Sequence, residues 1–136
     1  MTTPSARLSP PLQRALILMA RASPRLEVCA LLGGEDNRLT SIYPVTNIAD
    51  DPSSRFLLDP EGHIEAMKAM REAGEKLRGI FHSHPAAPAT PSATDQALAS
   101  YPDMFYLIVS LTAAQPELQA HYYDGNAFAP ATIDND

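Results

Sequence analysis

Apolar residues recur along the chain at two spacings, one typical of helices and one typical of strands. The helical spacing predicts one helix that begins at Pro10 and is closed by Pro24, and a second helix that begins at Pro60. Asp59 is the predicted cap of that second helix. A third helix is predicted over residues 92–100.

Short apolar runs bounded by turn residues predict the strands. They cover residues 26–32, 39–45, 56–58, 77–84, 105–111, 118–123 and 127–133. The first strand is expected to end at Gly33-Gly34, residues 47–55 to form a mobile loop, and residues 1–8 and 134–136 to be frayed. This order predicts a single domain over residues 1–136. This domain is expected to contain one mixed β-sheet flanked by helices, in the α/β class with α+β as the borderline alternative.

Composition then restricts the class of protein. Of 136 residues, 45% are hydrophobic and 19% are charged, as in an ordinary globular protein. Ten basic against sixteen acidic residues give a formal net charge of −6, which argues against a nucleic-acid binder with a basic surface. No apolar run approaches the roughly 20 residues that a membrane-spanning helix needs. The single cysteine, Cys29, cannot form an internal disulfide, so a cytoplasmic location is expected.

Two histidines at the end of a predicted strand are the first sign of chemistry. Side chains two residues apart on a strand lie on the same face, so His82 and His84 are expected to converge. A proline-rich loop then leads to Ser92 and Asp95 at the start of a helix. If that carboxylate folds back beside the imidazoles, the three form the mixed nitrogen and oxygen ligand set of a catalytic zinc site, with the fourth position open to water.

Each of these residues also has a purely structural interpretation. His82 and His84 are compatible with a solvent-facing edge, and Ser92 with Asp95 matches the S-x-x-D capping pattern. Glu27 is compatible with a charge at a strand end, but it interrupts an apolar strand, where an unpaired carboxylate is costly. A cationic site nearby would compensate for that cost. The chain has no H-E-x-x-H string, so Glu27 is the best candidate for the base that a catalytic zinc needs.

The combination resembles a known family. Glu27, then His82-Ser83-His84, seven residues, Ser92, two residues and Asp95 match the JAMM motif of the MPN-domain metalloproteases without a gap or substitution. The likeness extends over about residues 8–123 and is closest to the small prokaryotic members. It implies the MPN/JAMM fold, which is similar to that of cytidine deaminase.

The resemblance also implies a role for each residue of the motif. His82, His84 and Asp95 would bind one Zn²⁺ per chain, with water as the fourth ligand. Glu27 would take a proton from that water and pass it to the leaving amine. Ser92 would donate a hydrogen bond to the developing oxyanion and also cap the helix, since a hydroxyl both donates and accepts.

The family hydrolyses peptide and isopeptide bonds, so the resemblance implies a zinc metalloprotease. The expected substrate and partner is a ubiquitin-like or sulfur-carrier protein, cut after its C-terminal Gly-Gly. Two alternatives stay open: a non-catalytic MPN scaffold or binding module, and a zinc hydrolase that acts on a different amide bond. No nucleic-acid or membrane partner is expected.

Three other residues compete for the metal. Cys29 lies two positions from Glu27 and is interpreted as core packing, and the isolated His63 and His121 are interpreted as non-ligands. A deaminase-type zinc site is disfavoured because it needs a P-C-x-x-C string and the chain has one cysteine.

Overall fold

The structure, a computed structural model, describes residues 3–136. Within them, seven strands and three helices follow one another as β1 (Ser5–Leu8), α1 (Pro10–Ala22), β2 (Cys29–Glu35), β3 (Arg38–Val45), α2 (Pro60–Glu72), β4 (Lys76–His84), α3 (Ala93–Leu98), β5 (Met104–Ser110), β6 (Glu117–Tyr123) and β7 (Phe128–Asn135). The side chains of Ser9 and Asp59 accept hydrogen bonds from the first turns of α1 and α2, which confirms the predicted helix starts.

The strands form one mixed sheet. Their order is β1-β3-β2-β4-β5-β6-β7, and the sheet closes because β1 also pairs with β7. The β4–β5 pair and both pairs of β1 are parallel, and the remaining pairs are antiparallel. The prediction of a mixed sheet with flanking helices is therefore confirmed, and the class is α+β.

The expectation of frayed ends is wrong where the structure describes them. Ser5–Leu8 is a strand that pairs with β7 over four positions, and Ala6 and Leu8 are buried. Asp136 lies 3.1 Å from the side chains of both Arg7 and Arg38. The partner strand lies at the opposite end of the sequence, so no local pattern could reveal the pairing. Residues 1 and 2 of the predicted frayed segment lie outside the described residues.

Two strand predictions also need correction. Residues 56–58 make a single bridge, between Leu58 and Asn47, and form no strand. Gly33 and Gly34 do not end β2 but continue it, with a shift in pairing register at this point. A Cβ at Gly34 would lie 1.9 Å from the carbonyl oxygen of Arg38, so only glycine allows this close approach of β3.

The two faces of the sheet differ in what covers them. Helix α1 packs Leu16 and Ala20 into a cluster of aliphatic and phenylalanine side chains around Phe81. Helix α2 packs Met70 against the other face, beside Ile80. His82 and His84 follow Ile80 at alternate positions of β4, so they lie on the α2 face. No helix in the described part of the chain is long and apolar enough to cross a membrane.

Candidate metal centre

Strand β4 brings two imidazoles together at its C-terminal end. His82 and His84 are almost completely buried, and their Nε2 atoms lie 3.1 Å apart. β4 is an interior strand, hydrogen-bonded to β2 on one side and to β5 on the other, so the sheet fixes the backbone of both residues. This confirms the expected convergence of the two side chains.

The start of α3 supplies a carboxylate to the same point. Oδ2 of Asp95 lies 3.1 Å from Nε2 of His82 and 3.1 Å from Nε2 of His84. The Asp95 N–H donates to Oγ of Ser92 at 3.0 Å, and the Ser92 N–H donates to Oδ2 of Asp95 at 2.9 Å. This reciprocal capping box fixes the first turn of α3. The predicted capping role of Ser92 is therefore confirmed.

The three atoms form a triangle that suits a tetrahedral metal ion. A tetrahedral zinc with bonds of about 2.0–2.1 Å keeps its ligand atoms about 3.3 Å apart. The sides of the triangle, two imidazole nitrogens and one carboxylate oxygen, each measure 3.1 Å. The spacing and the donor set both fit zinc, with the remaining tetrahedral position free for a fourth ligand.

Groups outside the triangle orient both imidazoles. Nδ1 of His84 lies 2.6 Å from the carbonyl oxygen of Pro88. A carbonyl only accepts, so Nδ1 bears the hydrogen and the neutral ring keeps the lone pair of Nε2 for a metal. The ring of Phe56 stacks on His82, with ring centroids 4.4 Å apart. Among the described residues, nothing pairs with the buried Nδ1 of His82.

Glu27 lies beside the triangle, immediately before β2. Its side chain is buried at 3% exposure, and no group of the described chain pairs with Oε1. A carboxylate oxygen of Glu27 and one ring nitrogen from each of His82 and His84 lie within 4.8 Å of one another. The Glu27 N–H donates to the carbonyl of Pro52, and the Glu27 carbonyl accepts from the Asn47 side chain. All five residues of the motif are thus gathered at one point.

The surroundings of the two carboxyl groups shift their pKa values in opposite directions. Burial raises the pKa of Glu27 to about 8; His84 opposes this effect and Asp95 adds to it. Burial also acts to raise the pKa of Asp95, but the imidazoles of His82 and His84, which lie 3.1 Å from its Oδ2 and donate to it when they are protonated, outweigh burial and hold that pKa well below its usual range. Carboxyl groups separated in this way suit different tasks, one as a proton carrier and one as a permanent anion.

The pKa values of the two imidazoles are also shifted in opposite directions. Burial lowers the pKa of His82. Burial acts in the same direction on His84, but the hydrogen bond to Asp95 and the Pro88 carbonyl outweigh it and raise the pKa of that ring. His82 is therefore the ring that more readily offers a neutral nitrogen.

An apolar cavity of about 250 Å³ adjoins the triangle. Asp95 forms part of one wall, and the remaining lining is mostly apolar and comes from residues 56–58, Ile80, the end of α3 and Tyr106. A polar pair also lines it, with the Tyr101 hydroxyl 2.7 Å from Nε2 of His63. A cavity of this size accommodates a side chain rather than a whole ligand.

The competing residues have partners away from the triangle. Sγ of Cys29 donates to the carbonyl of Val45 at 3.2 Å, and burial raises the thiol pKa to about 12. His63 pairs with Tyr101, and His121 pairs with the carbonyl of Ala89 at 2.8 Å. Each of the three side chains thus has a hydrogen-bond partner outside the triangle, and their interpretation as non-ligands stays a prediction.

Sequence reasoning missed residues that support the site through backbone groups. The Asn47 side chain makes four hydrogen bonds. It donates to the carbonyls of Glu27 and Arg55 and accepts from the amides of Ala49 and Leu57. Residues 47–55, the predicted loop, are thus linked to the backbone of Glu27. The bridge from Asn47 to Leu58 has no sequence signal, but an asparagine at the end of a strand is a typical turn residue.

Comparison with known proteins agrees with this geometry. The family described as prokaryotic homologs of the JAB domain matches residues 9–122. A desampylase from Haloferax volcanii is 35% identical over 116 residues, which cover 84% of this chain and 81% of the relative. A CysO-cysteine peptidase from Mycobacterium tuberculosis is 36% identical over 101 residues, or 73% of this chain and 68% of the relative.

Solved structures show the same fold. A protein from Desulfitobacterium hafniense is 32% identical, with a TM-score of 0.79 over 97% of this chain and 92% of that one. A JAB1/MPN domain protein from Archaeoglobus fulgidus, 18% identical, shares the fold with a TM-score of 0.61 over 96% of this chain and 98% of that one. The resemblance to JAMM/MPN proteins is confirmed, and the chain belongs to the prokaryotic JAB-domain family.

Proposed function

We propose that this chain is a zinc-dependent peptidase that hydrolyses the peptide or isopeptide bond after the C-terminal Gly-Gly of a ubiquitin-like or sulfur-carrier protein. The observation that supports it most strongly is the 3.1 Å triangle of two imidazole nitrogens and one carboxylate oxygen. Relatives named desampylase, CysO-cysteine peptidase and TtuB-protein conjugate cleaving protease support the substrate class. A cytoplasmic location stays a prediction.

In this proposal His82, His84 and Asp95 hold the ion. When bound there, Zn²⁺ would supply a positive charge that polarises the substrate carbonyl and lowers the pKa of water to about 7. Asp95 suits the role because its carboxyl group stays ionised, and His84 because the Pro88 carbonyl fixes its tautomer.

Glu27 is the proposed proton carrier. It accepts a proton from the attacking water and delivers it to the amine that leaves when the carbon–nitrogen bond breaks. In the metal-free protein, burial raises the pKa of Glu27 to about 8, so this carboxyl group holds a proton more readily than an exposed glutamate does. Its unpaired Oε1 leaves an oxygen available for that exchange.

Ser92 is the proposed oxyanion donor. Its Oγ already accepts the Asp95 N–H, so the hydroxyl hydrogen is free to donate to the substrate carbonyl oxygen as charge develops there. One such donor is typically worth about 10²–10³ in rate. Glycines next to the cleaved bond would let the substrate backbone pass close to this half-buried residue.

The test uses ubiquitin-fold carrier proteins that end in Gly-Gly followed by extra residues. Wild-type protein with one equivalent of zinc is incubated with each carrier, and intact masses are measured. We expect loss of the residues beyond Gly-Gly, and no loss with Glu27→Gln protein. Unchanged masses for every carrier, or equal cleavage by the Glu27→Gln variant, would contradict the proposal.

A further inference from the structure

The loop between β4 and α3 makes no backbone–backbone hydrogen bonds within the described part of the chain. Three of the seven residues 85–91 are prolines, which lack an N–H. Yet the loop connects His84 to Ser92 and Asp95, and the triangle requires Asp95 to return to within 3.1 Å of His84. Something outside the loop must therefore fix its path.

Three side chains from three adjacent strands meet this need. The hydroxyl of Ser110, on β5, donates to the carbonyl of Ala87 at 2.7 Å. Nδ1 of His84, on β4, donates to the carbonyl of Pro88 at 2.6 Å. Nε2 of His121, on β6, donates to the carbonyl of Ala89 at 2.8 Å. Three successive carbonyls of the loop are thus each held by one of three neighbouring strands.

The donors of these three bonds are buried side chains of the sheet. Ser110, His121 and Ala89 are all buried, at 1%, 6% and 2% exposure. β5 pairs with β6 over seven positions and with β4 over six, so the three donors have fixed relative positions. The bond between His121 and the carbonyl of Ala89 is buried, and a buried carbonyl that loses its donor is costly, so this bond cannot be exchanged for water without opening the loop.

We propose that Ser110 and His121 are positioning residues, which hold residues 87–89 so that Ser92 and Asp95 reach the two imidazoles. This inference rests on the proposed function, because the arrangement it maintains is the proposed zinc site. His121 is thereby given a task although it touches neither the ion nor the substrate. Asp95 is the ligand that depends on this task, since it is the one that reaches the triangle from the end of the loop.

The main test is zinc affinity, measured by competition with a chromophoric chelator. His121→Leu removes the donor at similar size, and His121→Gln keeps an N–H donor on the same strand. Partners outside the ligand shell typically change metal affinity about 10–100-fold. We expect His121→Leu to bind zinc more weakly by about that factor, and His121→Gln to recover most of the loss. Ser110→Ala should weaken binding in the same direction.

Tyr122→Phe is the matched control. It removes a hydroxyl from the next residue of β6, whose hydrogen bond goes to Asp103 instead of the loop. We expect its zinc affinity to equal that of the wild type. The proposal is overturned if His121→Leu lowers the thermal stability but leaves the zinc affinity equal to that of Tyr122→Phe. If His121→Leu does not fold, Ser110→Ala decides by the same comparison.

A second measurement does not depend on zinc. The Ser92 and Asp95 amides donate within the capping box, so their hydrogen exchange in metal-free protein reports on the loop. We expect His121→Leu or Ser110→Ala to accelerate exchange at both amides, while amides in α1 exchange as in the wild type. Exchange that is unchanged at Ser92 and Asp95 would overturn the positioning role. Wild-type protein that binds no zinc would instead refute the proposed function.

Discussion

Glu27 and Asp95 are buried carboxyl groups of the same site, and their surroundings act on them in opposite ways. Oδ2 of Asp95 has three close partners, the two imidazoles and the Ser92 N–H, and its pKa falls well below the usual range. Oε1 of Glu27 has no partner among the described residues, and burial raises its pKa to about 8. The difference shows that hydrogen-bond partners, rather than burial, decide which carboxyl group stays charged.

The carboxyl groups of Glu27 and Asp95 therefore suit different tasks. A carboxylate with a lowered pKa suits a metal ligand, and a carboxyl group with a raised pKa suits a proton carrier. Substitutions that remove one property while keeping the shape of the side chain therefore test the assignment.

The largest expected effect comes from Glu27→Gln, which keeps the shape of the side chain but cannot accept the proton. We expect zinc binding to persist and hydrolysis of a carrier to fall by about 10²–10⁴, the usual contribution of general acid–base catalysis. The measurement is kcat/KM beside zinc content. Glu65→Gln is the matched control, because Glu65 is an exposed glutamate of α2. Full activity in Glu27→Gln would remove Glu27 from its role.

Ser92→Ala tests whether the residue that caps Asp95 also takes part in catalysis. Loss of a cap costs about 1 kcal/mol of stability, whereas loss of an oxyanion donor lowers kcat about 10²–10³-fold. We expect both. Ser9→Ala is the matched control, since Ser9 caps α1 through the Leu12 N–H, far from the triangle in the chain. If Ser92→Ala and Ser9→Ala reduce stability equally and neither lowers kcat, Ser92 acts only as a helix cap.

A smaller effect is the pH dependence of stability in metal-free protein. The folded pKa of Glu27, about 8, lies above its ordinary value of 4.5, so the folded state binds the proton more tightly. The resulting stabilisation is complete below about pH 4.5 and is lost as pH rises towards 8. Glu27 therefore contributes a decrease in the free energy of unfolding as the pH rises.

Urea unfolding of metal-free protein between pH 4.5 and 8 measures this effect. We expect the free energy of unfolding to fall with rising pH in the wild type and in Glu65→Gln, and to fall less in Glu27→Gln. Equal slopes in all three proteins would show that Glu27 has an ordinary pKa.

How much of the molecule is predictable from the sequence depends on the kind of contact. The helix starts at Pro10 and Pro60 follow from local rules, and the five motif residues are recognisable because their spacing is specific. The strand Ser5–Leu8 could not be predicted, since its partners lie far away in the chain. The support from Asn47 escapes prediction for a similar reason, because it bonds to backbone groups that leave no sequence pattern.

We propose that His82, His84 and Asp95 bind one zinc ion and that Glu27 is not needed for this binding. Zinc titration of wild-type, Asp95→Asn and Glu27→Gln proteins, with the metal quantified after gel filtration, tests it most directly. We predict about one equivalent in the wild type and in Glu27→Gln, and almost none retained by Asp95→Asn. Equal retention by Asp95→Asn and the wild type, or loss of zinc from Glu27→Gln alone, would contradict the assignment.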